Sequence, residues 1–362
     1  MELCVKNLRL ATERKGRYAH ISLGARGPVA RLGIGSPLPV GAQSLEDLVA
    51  QAKAAEELGY DSFWVHENPL WGDSLAALLL VARATSRIRL GVGCTSVITR
   101  HPVLLASSAI TLHNASGGRF SLGIGLGGFP WLPLIGYPVH PVEKTRPLRR
   151  LLEAIKIIRA LIGGEEALLE GDFYTVRRLR LMTRAQGAIP IYLASLSPRT
   201  LANAARVADG AITSPGVATP SHLAQMLAWV REGEARQGRR VDKAAYILAS
   251  VDASPRRALD AVKRDPYFIY QLAEVVPEKT LAELGVRTEG LPQIREAWRR
   301  RDLALASSLI SDEMVLALTA SGTPSEARAA LGRYLDQGLD LLIISPVGNF
   351  AEAVRCFRDE LP

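Results

Sequence analysis

The stretch from Ser86 to Gly128, SRIRLGVGCTSVITRHPVLLASSAITLHNASGGRFSLGIGLGG, contains one complete unit of a repeating pattern. It opens with an apolar run, Ile88–Cys94, that ends in small residues. Thr99 stands as a helix N-cap ahead of a periodic segment over 101–115, with Pro102 in its first turn. A second apolar run, Arg119–Gly125, ends in glycines. Strand, helix and strand in this order make a unit with two parallel strands.

The same alternation continues on both sides. The pattern predicts strands at Arg31–Gly35, Asp61–His66, Ile189–Ala194, Gly210–Thr213, Ala245–Val251 and Asp340–Ser345, besides the two above. It predicts helices over 43–58, 74–85, 101–115, 143–162, 198–208, 220–237, 255–265 and 324–337. In the first of these, Leu45, Leu48, Val49, Ala52, Ala55 and Leu58 recur at helical spacing, and Gly59 stops the helix. Eight strands alternating with eight helices is the count of a (β/α)8 TIM barrel, whereas an open doubly wound sheet needs fewer units. We therefore expect an α/β fold, one barrel domain over 30–362, and an N-terminal extension over 1–29. Insertions at about 129–142, 164–188 and 266–323 are longer than barrel loops need, and are expected at the C-terminal rim, where such barrels place their sites. Glu170–Val176 reads as a small hairpin. The helical, partly charged 266–323 reads as a lid or a subunit contact.

Of the 362 residues, 48% are hydrophobic and 22% charged, which excludes a disordered chain. Forty-four Lys and Arg against 36 Asp and Glu give a net charge of +8. The basic residues are scattered rather than blocked, so nucleic-acid binding has no support, and an acidic or phosphorylated small ligand fits the charge. Cys4, Cys94 and Cys356 form no CxxC pair, which excludes a disulfide scaffold and a thiolate zinc site and suits a reducing, cytoplasmic setting. The apolar run Leu75–Ala82 is too short to span a bilayer, and the charged N-terminus has no signal-like apolar core. High Arg and Glu with few Met and Cys would suit a thermophile.

Four clusters carry chemistry. Gly123–Gly128 matches GxGxxG, but Phe129-Pro130-Trp131-Leu132-Pro133 forbids the helix that a dinucleotide fingerprint needs. At the end of a barrel strand, Gly125, Gly127 and Gly128 either leave bare backbone for a flat or anionic ligand or simply form a turn. His66, Glu67 and Asn68 close the second strand. Glu67 could accept hydrogen bonds or relay protons there; alternatively, His66 or Glu67 pairs with an arginine at the rim. Cys94 and Thr95 face the barrel mouth, Cys94 as a small packing residue. Ser195, Ser197, Pro198 and Arg199 form a phosphate cradle, and simple capping by Ser197 is compatible with it. His101, His113 and His140 have no metal-binding partner spacing, so no metal is expected.

Together these pieces resemble the luciferase-like flavin family, which includes bacterial luciferase, alkanesulfonate monooxygenase and deazaflavin-dependent reductases. The matching stretches are Leu32–Pro37, Leu58–Asn68, Arg87–Pro102 with Leu112–Gly128, Ala154–Tyr174, Pro190–Thr213 and Gly322–Gly348. The most specific features are the small-residue turn, the Thr-x-His-Pro sequence and the Ser-Gly-Gly-Arg ahead of a glycine-rich strand. The turn Gly93-Cys94-Thr95 followed by Thr99-Arg100-His101-Pro102 is similar to the branch that uses coenzyme F420, above all the methylene-tetrahydromethanopterin reductases.

The resemblance implies an oxidoreductase acting on a small molecule, with coenzyme F420 as its cofactor, a homodimeric state, and a non-prolyl cis peptide at Gly93–Cys94. It implies that His66, Gly93, Cys94 and Thr95 lie against the ring and that Gly125, Gly127 and Gly128 lie along the ribityl or phosphate portion. Ala194, Ser195, Ser197 and Pro198 would take the phosphate, and Glu67 and Asn68 would serve the reaction. Glu67-Asn68 replaces the Asp-His of many members, which argues against alcohol oxidation. Gly33–Ser36 lacks the strand-one acid of the reductases, and Ser195–Pro198 replaces the usual Ser-Gly-Pro turn. An FMN-dependent two-component monooxygenase and a flavin-binding protein without turnover are the alternative readings.

Overall fold

The computed structural model describes residues 30–37, 44–67, 72–127, 132–137, 146–276, 278–283 and 286–358. The expected 1–29 extension and most of the 129–142 insertion therefore lie outside the described residues, as do Asn68, Gly128 and His140. Eight strands close a parallel barrel: β1 (Arg31–Pro37), β2 (Ser62–His66), β3 (Arg89–Ser96), β4 (Phe120–Gly125), β7 (Ile191–Ala194), β8 (Gly210–Gly216), β9 (Asp242–Ala249) and β10 (Leu341–Pro346). β1 pairs with both β2 and β10, which closes the ring. The remaining two strands, β5 (Ala167–Glu170) and β6 (Thr175–Leu179), form the expected antiparallel hairpin. The fold is the (β/α)8 barrel that the alternation predicts.

The helices start where their caps say they should. Ser44 accepts from the Asp47 amide at the head of Leu45–Glu57, and Thr323 and Glu326 form a reciprocal capping box at Pro324–Leu335. Three local expectations need correction. His101, not Thr99, caps the helix Pro102–Ala115, its ring nitrogen accepting from Val103 N–H at 3.3 Å. The helix expected over 198–208 is two short turns, Pro198–Leu201 and Ala204–Val207. There the Asn203 amide group donates to the Arg199 carbonyl at 2.8 Å, competing with the backbone ladder. Finally, β9 begins at Asp242 rather than Ala245, because its two charged residues are buried as ion pairs. Lys243 Nζ lies 3.1 Å from Glu234 and 2.9 Å from Asp340, and Asp242 is paired with Arg31.

Alternation along the strands separates two cores. Leu32, Ile34, Phe63, Val65, Leu90 and Val92 point outward, into the layer shared with the helices. The barrel interior is filled by Trp64, Tyr192, Ile212, Ala244, Tyr246, Leu341 and Ile343. Those large rings fit because the inward positions of β1 and β3 are glycines. A Cβ on Gly91 would strike the Trp64 indole, and one on Gly93 would strike the Tyr246 hydroxyl. Trp64 is held by a hydrogen bond from Nε1 to Ser62 Oγ (2.9 Å) and packs edge-on against Tyr192.

The segment 266–323 is helical, as expected, and has a core of its own. Phe268, Leu272, Leu291, Ile294, Val315 and Leu318 are buried together with Val217, Leu248 and Val347, which stand just past β8, at the end of β9 and just past β10. It therefore covers the C-terminal mouth. The hairpin follows the helix Pro147–Ile162, and its tip reaches the same rim: Tyr174 OH donates to the Val97 carbonyl at 2.5 Å.

Gly91→Ala should destabilise the protein by about 1–3 kcal/mol, because the rigid, hydrogen-bonded indole cannot yield. Urea unfolding should show a lower midpoint at unchanged slope.

Candidate active site

The mouth is built from the last residues of the strands and from the helical cap. β2 places His66 inward, and the ring packs on Tyr246 (centroids 4.1 Å apart) and on Tyr267 of the cap (5.3 Å). Burial pushes the His66 pKa down to about 4, against a hydrogen bond with the Gly93 backbone, so the ring is neutral at pH 7. On β3, the Gly93–Cys94 peptide is cis, and the β3–β4 register shifts between Val92 and Thr95. The bulge leaves Cys94 half-buried and Thr95 fully buried. Burial, and the nearby Glu67 charge, push the Cys94 thiol up to about 12, which makes it a packing group rather than a nucleophile.

Five buried polar atoms on the strands and cap that form the mouth have no protein partner: His66 Nε2, Thr95 Oγ1, Tyr246 OH, Ser345 Oγ and Gln271 Oε1. A natural core rarely leaves such atoms unpaired, and a cluster of them marks where a ligand or water completes the bonding. Burial also holds the Tyr246 and Tyr267 hydroxyls well above the usual tyrosine range, so they stay protonated.

Glu67 follows β2. Its side chain is 3% exposed. Arg100 Nε lies 3.1 and 3.2 Å from its two oxygens, and Ser74 Oγ donates to one of them at 3.0 Å. Arg100 also reaches Asp73, the cap of Ser74–Ala84, at 3.1 Å. Of the two readings of Glu67, the rim ion pair is thus present, made by an arginine from the Thr-x-His-Pro stretch.

Farther along the same rim, Gly125 lets β4 approach: a Cβ there would lie 2.6 Å from Cys94 Sγ and 3.2 Å from the Ala194 carbonyl. Gly127 has φ +89°, in the left-handed region that favours glycine. Ser195 Oγ accepts from the Ser197 amide at 3.0 Å, and Ser197 makes no side-chain cap before Pro198. The structure thus brings Gly93, Cys94, Thr95, Gly125 and Ala194 together at one side of the mouth, with His66 and Glu67 on the neighbouring strand. Tyr246, Ser345, Tyr267 and Gln271 were not singled out from the sequence. Strand alternation places the first two inward, whereas the cap residues carry no sequence signal. Among the described residues, no group of three His, Cys, Asp or Glu side chains could hold a metal, and no helix is long and apolar enough to cross a membrane.

A closed (β/α)8 barrel with a covered, aromatic C-terminal mouth and unpartnered buried polar atoms defines a TIM barrel with an enclosed ligand site at that mouth. The Luciferase-like monooxygenase family model matches residues 27–341, and the chain belongs to that family. It is 29% identical over 316 residues to the 5,10-methylenetetrahydromethanopterin reductase of Methanolobus tindarius, covering 86% of this chain and 94% of that protein. It is also 29% identical over 323 residues to the F420-dependent glucose-6-phosphate dehydrogenase of Nakamurella multipartita, covering 85% and 88%. The solved coenzyme F420-dependent tetrahydromethanopterin reductase of Methanopyrus kandleri superposes with a TM-score of 0.81 at 25% identity, covering 92% of this chain and 99% of that one.

His66 makes stability depend on pH. The unfolded ring titrates near 6.5 and the folded one near 4, so between these values the unfolded chain binds the extra proton. Stability contributed by neutral His66 should fall as pH drops through that window, by on the order of 3 kcal/mol at its lower end. Unfolding free energies measured from pH 7 to 4.5 should show a shallower acid loss in His66→Gln than in the parent.

Proposed function

We propose that the protein is a coenzyme F420-dependent oxidoreductase that transfers hydride between the deazaflavin and an electrophilic carbon of a small substrate, such as a methylene-iminium of a reduced pterin. The observation that carries this reading is the group of five unpartnered buried polar atoms at the mouth. They fit a neutral, polar, flat ring system better than a metal or a highly charged group. The choice of cofactor rests on the relatives, several of which are described as F420-dependent or as methylenetetrahydromethanopterin reductases.

When bound, the deazaflavin supplies a two-electron hydride, and the protein supplies orientation and a dry site. Gly93, Cys94 and Thr95 would back the ring, with the Thr95 hydroxyl free to bond its edge. The close approach allowed by Gly125 and Gly127 would admit the ribityl chain beside Ala194. Ser195, Ser197 and Pro198 would receive the phosphate, where the Ser197 hydroxyl remains uncommitted. Neutral His66, whose other nitrogen donates to the Gly93 backbone, offers Nε2 as an acceptor beneath the substrate, and the Tyr246 hydroxyl can donate or accept there. Glu67, held still by Arg100 and Ser74, would set the local field or move a proton. The same proposal includes action as a homodimer in the cytoplasm.

Anaerobic titrations of the purified protein with oxidised and reduced F420 and FMN, followed by tryptophan fluorescence, test the cofactor. Micromolar F420 binding with weak FMN binding is expected; preferred binding of reduced FMN would overturn the reading. Glu67→Gln should lower kcat by about 10²-fold while leaving F420 affinity nearly unchanged. Intact turnover would remove Glu67 from the chemistry, and ligand binding without substrate-dependent redox would mark a non-catalytic relative.

A further inference from the structure

The opposite pole of the barrel holds a cavity of about 310 Å³. Its walls come from the N-terminal ends of the strands and the residues just before them: Arg31 on β1, Ser62 and Trp64 on β2, Arg87 and Arg89 at β3, Arg119 and Ser121 at β4. It is separated from the mouth by the packed interior rings. Four arginines line it against one lining aspartate, Asp61.

The arginines are not equivalent. Arg31 is spent on Asp242 and on Asp61, at 3.4 Å from the latter. Arg119 gives its donors to the carbonyls of Ala82, Thr85, Ile88 and Ser116 and to the Thr85 hydroxyl, so its hydrogen bonds go to neutral acceptors only. Arg87 has one long contact, 3.5 Å to the Glu56 carbonyl. The Glu56 carboxylate instead accepts from the amides of Ser86, Arg87 and Ile88. The Arg89 guanidinium is exposed and has no partner among the described residues, and neither has the Ser121 hydroxyl. The floor is aromatic, with the polar atoms of Trp64 and Tyr192 already satisfied by Ser62 and Asp242.

We propose that this pole is a second ligand site, one that takes a phosphate group. The unpartnered Arg89 fork, the Arg87 fork with its single long contact and a hydroxyl match the oxygens of a phosphate, and the Trp64–Tyr192 floor would hold an attached organic portion. The charge that Arg119 adds without a contacting carboxylate favours a dianion. The chain enters the barrel at Arg31 beside this cavity, yet residues 1–29 carry six Lys and Arg against two Glu. That segment has the same sign as the cavity, so complementarity favours a separate anion.

The test is thermal unfolding of the full chain with inorganic phosphate or phenyl phosphate, against chloride at equal ionic strength. A saturable rise in Tm of about 2–5 °C is expected with phosphate compounds and not with chloride. Tighter binding of phenyl phosphate would identify an organic phosphoester as the ligand, and equal binding would identify free phosphate; both support the site. The double variant Arg87→Ser/Arg89→Ser changes two exposed side chains, so it should fold, and its dissociation constant should rise at least ~10-fold. No saturable rise in the parent, or the same rise in the double variant, would overturn the proposal.

Discussion

The rings inside the barrel and the missing side chains opposite them form the constraint on which everything else rests. A closed eight-stranded barrel must fill its centre with side chains. Here β1 and β3 contribute only glycines at Gly33, Gly35, Gly91 and Gly93, and β2, β7 and β9 contribute Trp64, Tyr192 and Tyr246. Tyr246 reaches across the axis to Gly93, Trp64 fills the space beside Gly91 on the adjoining strand, and Tyr192 fills that beside Gly210 on β8, space that a single methyl group would close. The arrangement sets the depth of the mouth. Tyr246 is the highest ring, and its hydroxyl, buried and unpaired, forms part of the floor beneath the site.

Above that floor, polarity and burial are deliberately mismatched. A typical core pairs its buried polar atoms, and near the barrel's other pole most of the buried charges are paired. Asp242 joins Arg31 and Tyr192, Asp209 accepts from Arg159 and Arg239, and Lys243 joins Glu234 and Asp340. At the mouth, by contrast, histidine, threonine, tyrosine, serine and glutamine atoms remain without partners while an apolar helical cap keeps water away. The cost of leaving them so is tolerable only where a ligand completes the bonding. The unpaired atoms are neutral groups: burial keeps His66 and the tyrosine protonation states uncharged, and the Glu67 carboxylate is tied to Arg100.

Glu67 shows how one residue can answer to two demands. The Arg100 ion pair fastens the end of β2 to the loop after β3, and Asp73 extends the link to the start of the next helix. The same link fixes the carboxylate at the rim, close enough to Cys94 for its charge to raise the thiol further. A structural clamp and a positioned functional group are therefore the same object.

All eight barrel strands and most of the helices were legible in the chain, though not Phe350–Cys356 or the break within 198–208, because strand and helix leave different hydrophobic periods and because glycine and proline punctuate their ends. So were the small-residue turn at Gly93–Cys94, the hairpin at Glu170–Val176 and the helical character of 266–323. The start of β9 was hidden, since Asp242 and Lys243 look like loop residues until Arg31 and Asp340, 211 and 97 positions away in the chain, are folded against them. The partner of Glu67, the neutrality of His66 and the roles of Tyr246, Ser345, Tyr267 and Gln271 likewise emerged only in three dimensions. Periodicity is a local property of a chain. Burial, ion pairing and the meeting of strand ends under a distant helical cap depend on closure of the barrel, which no local pattern records.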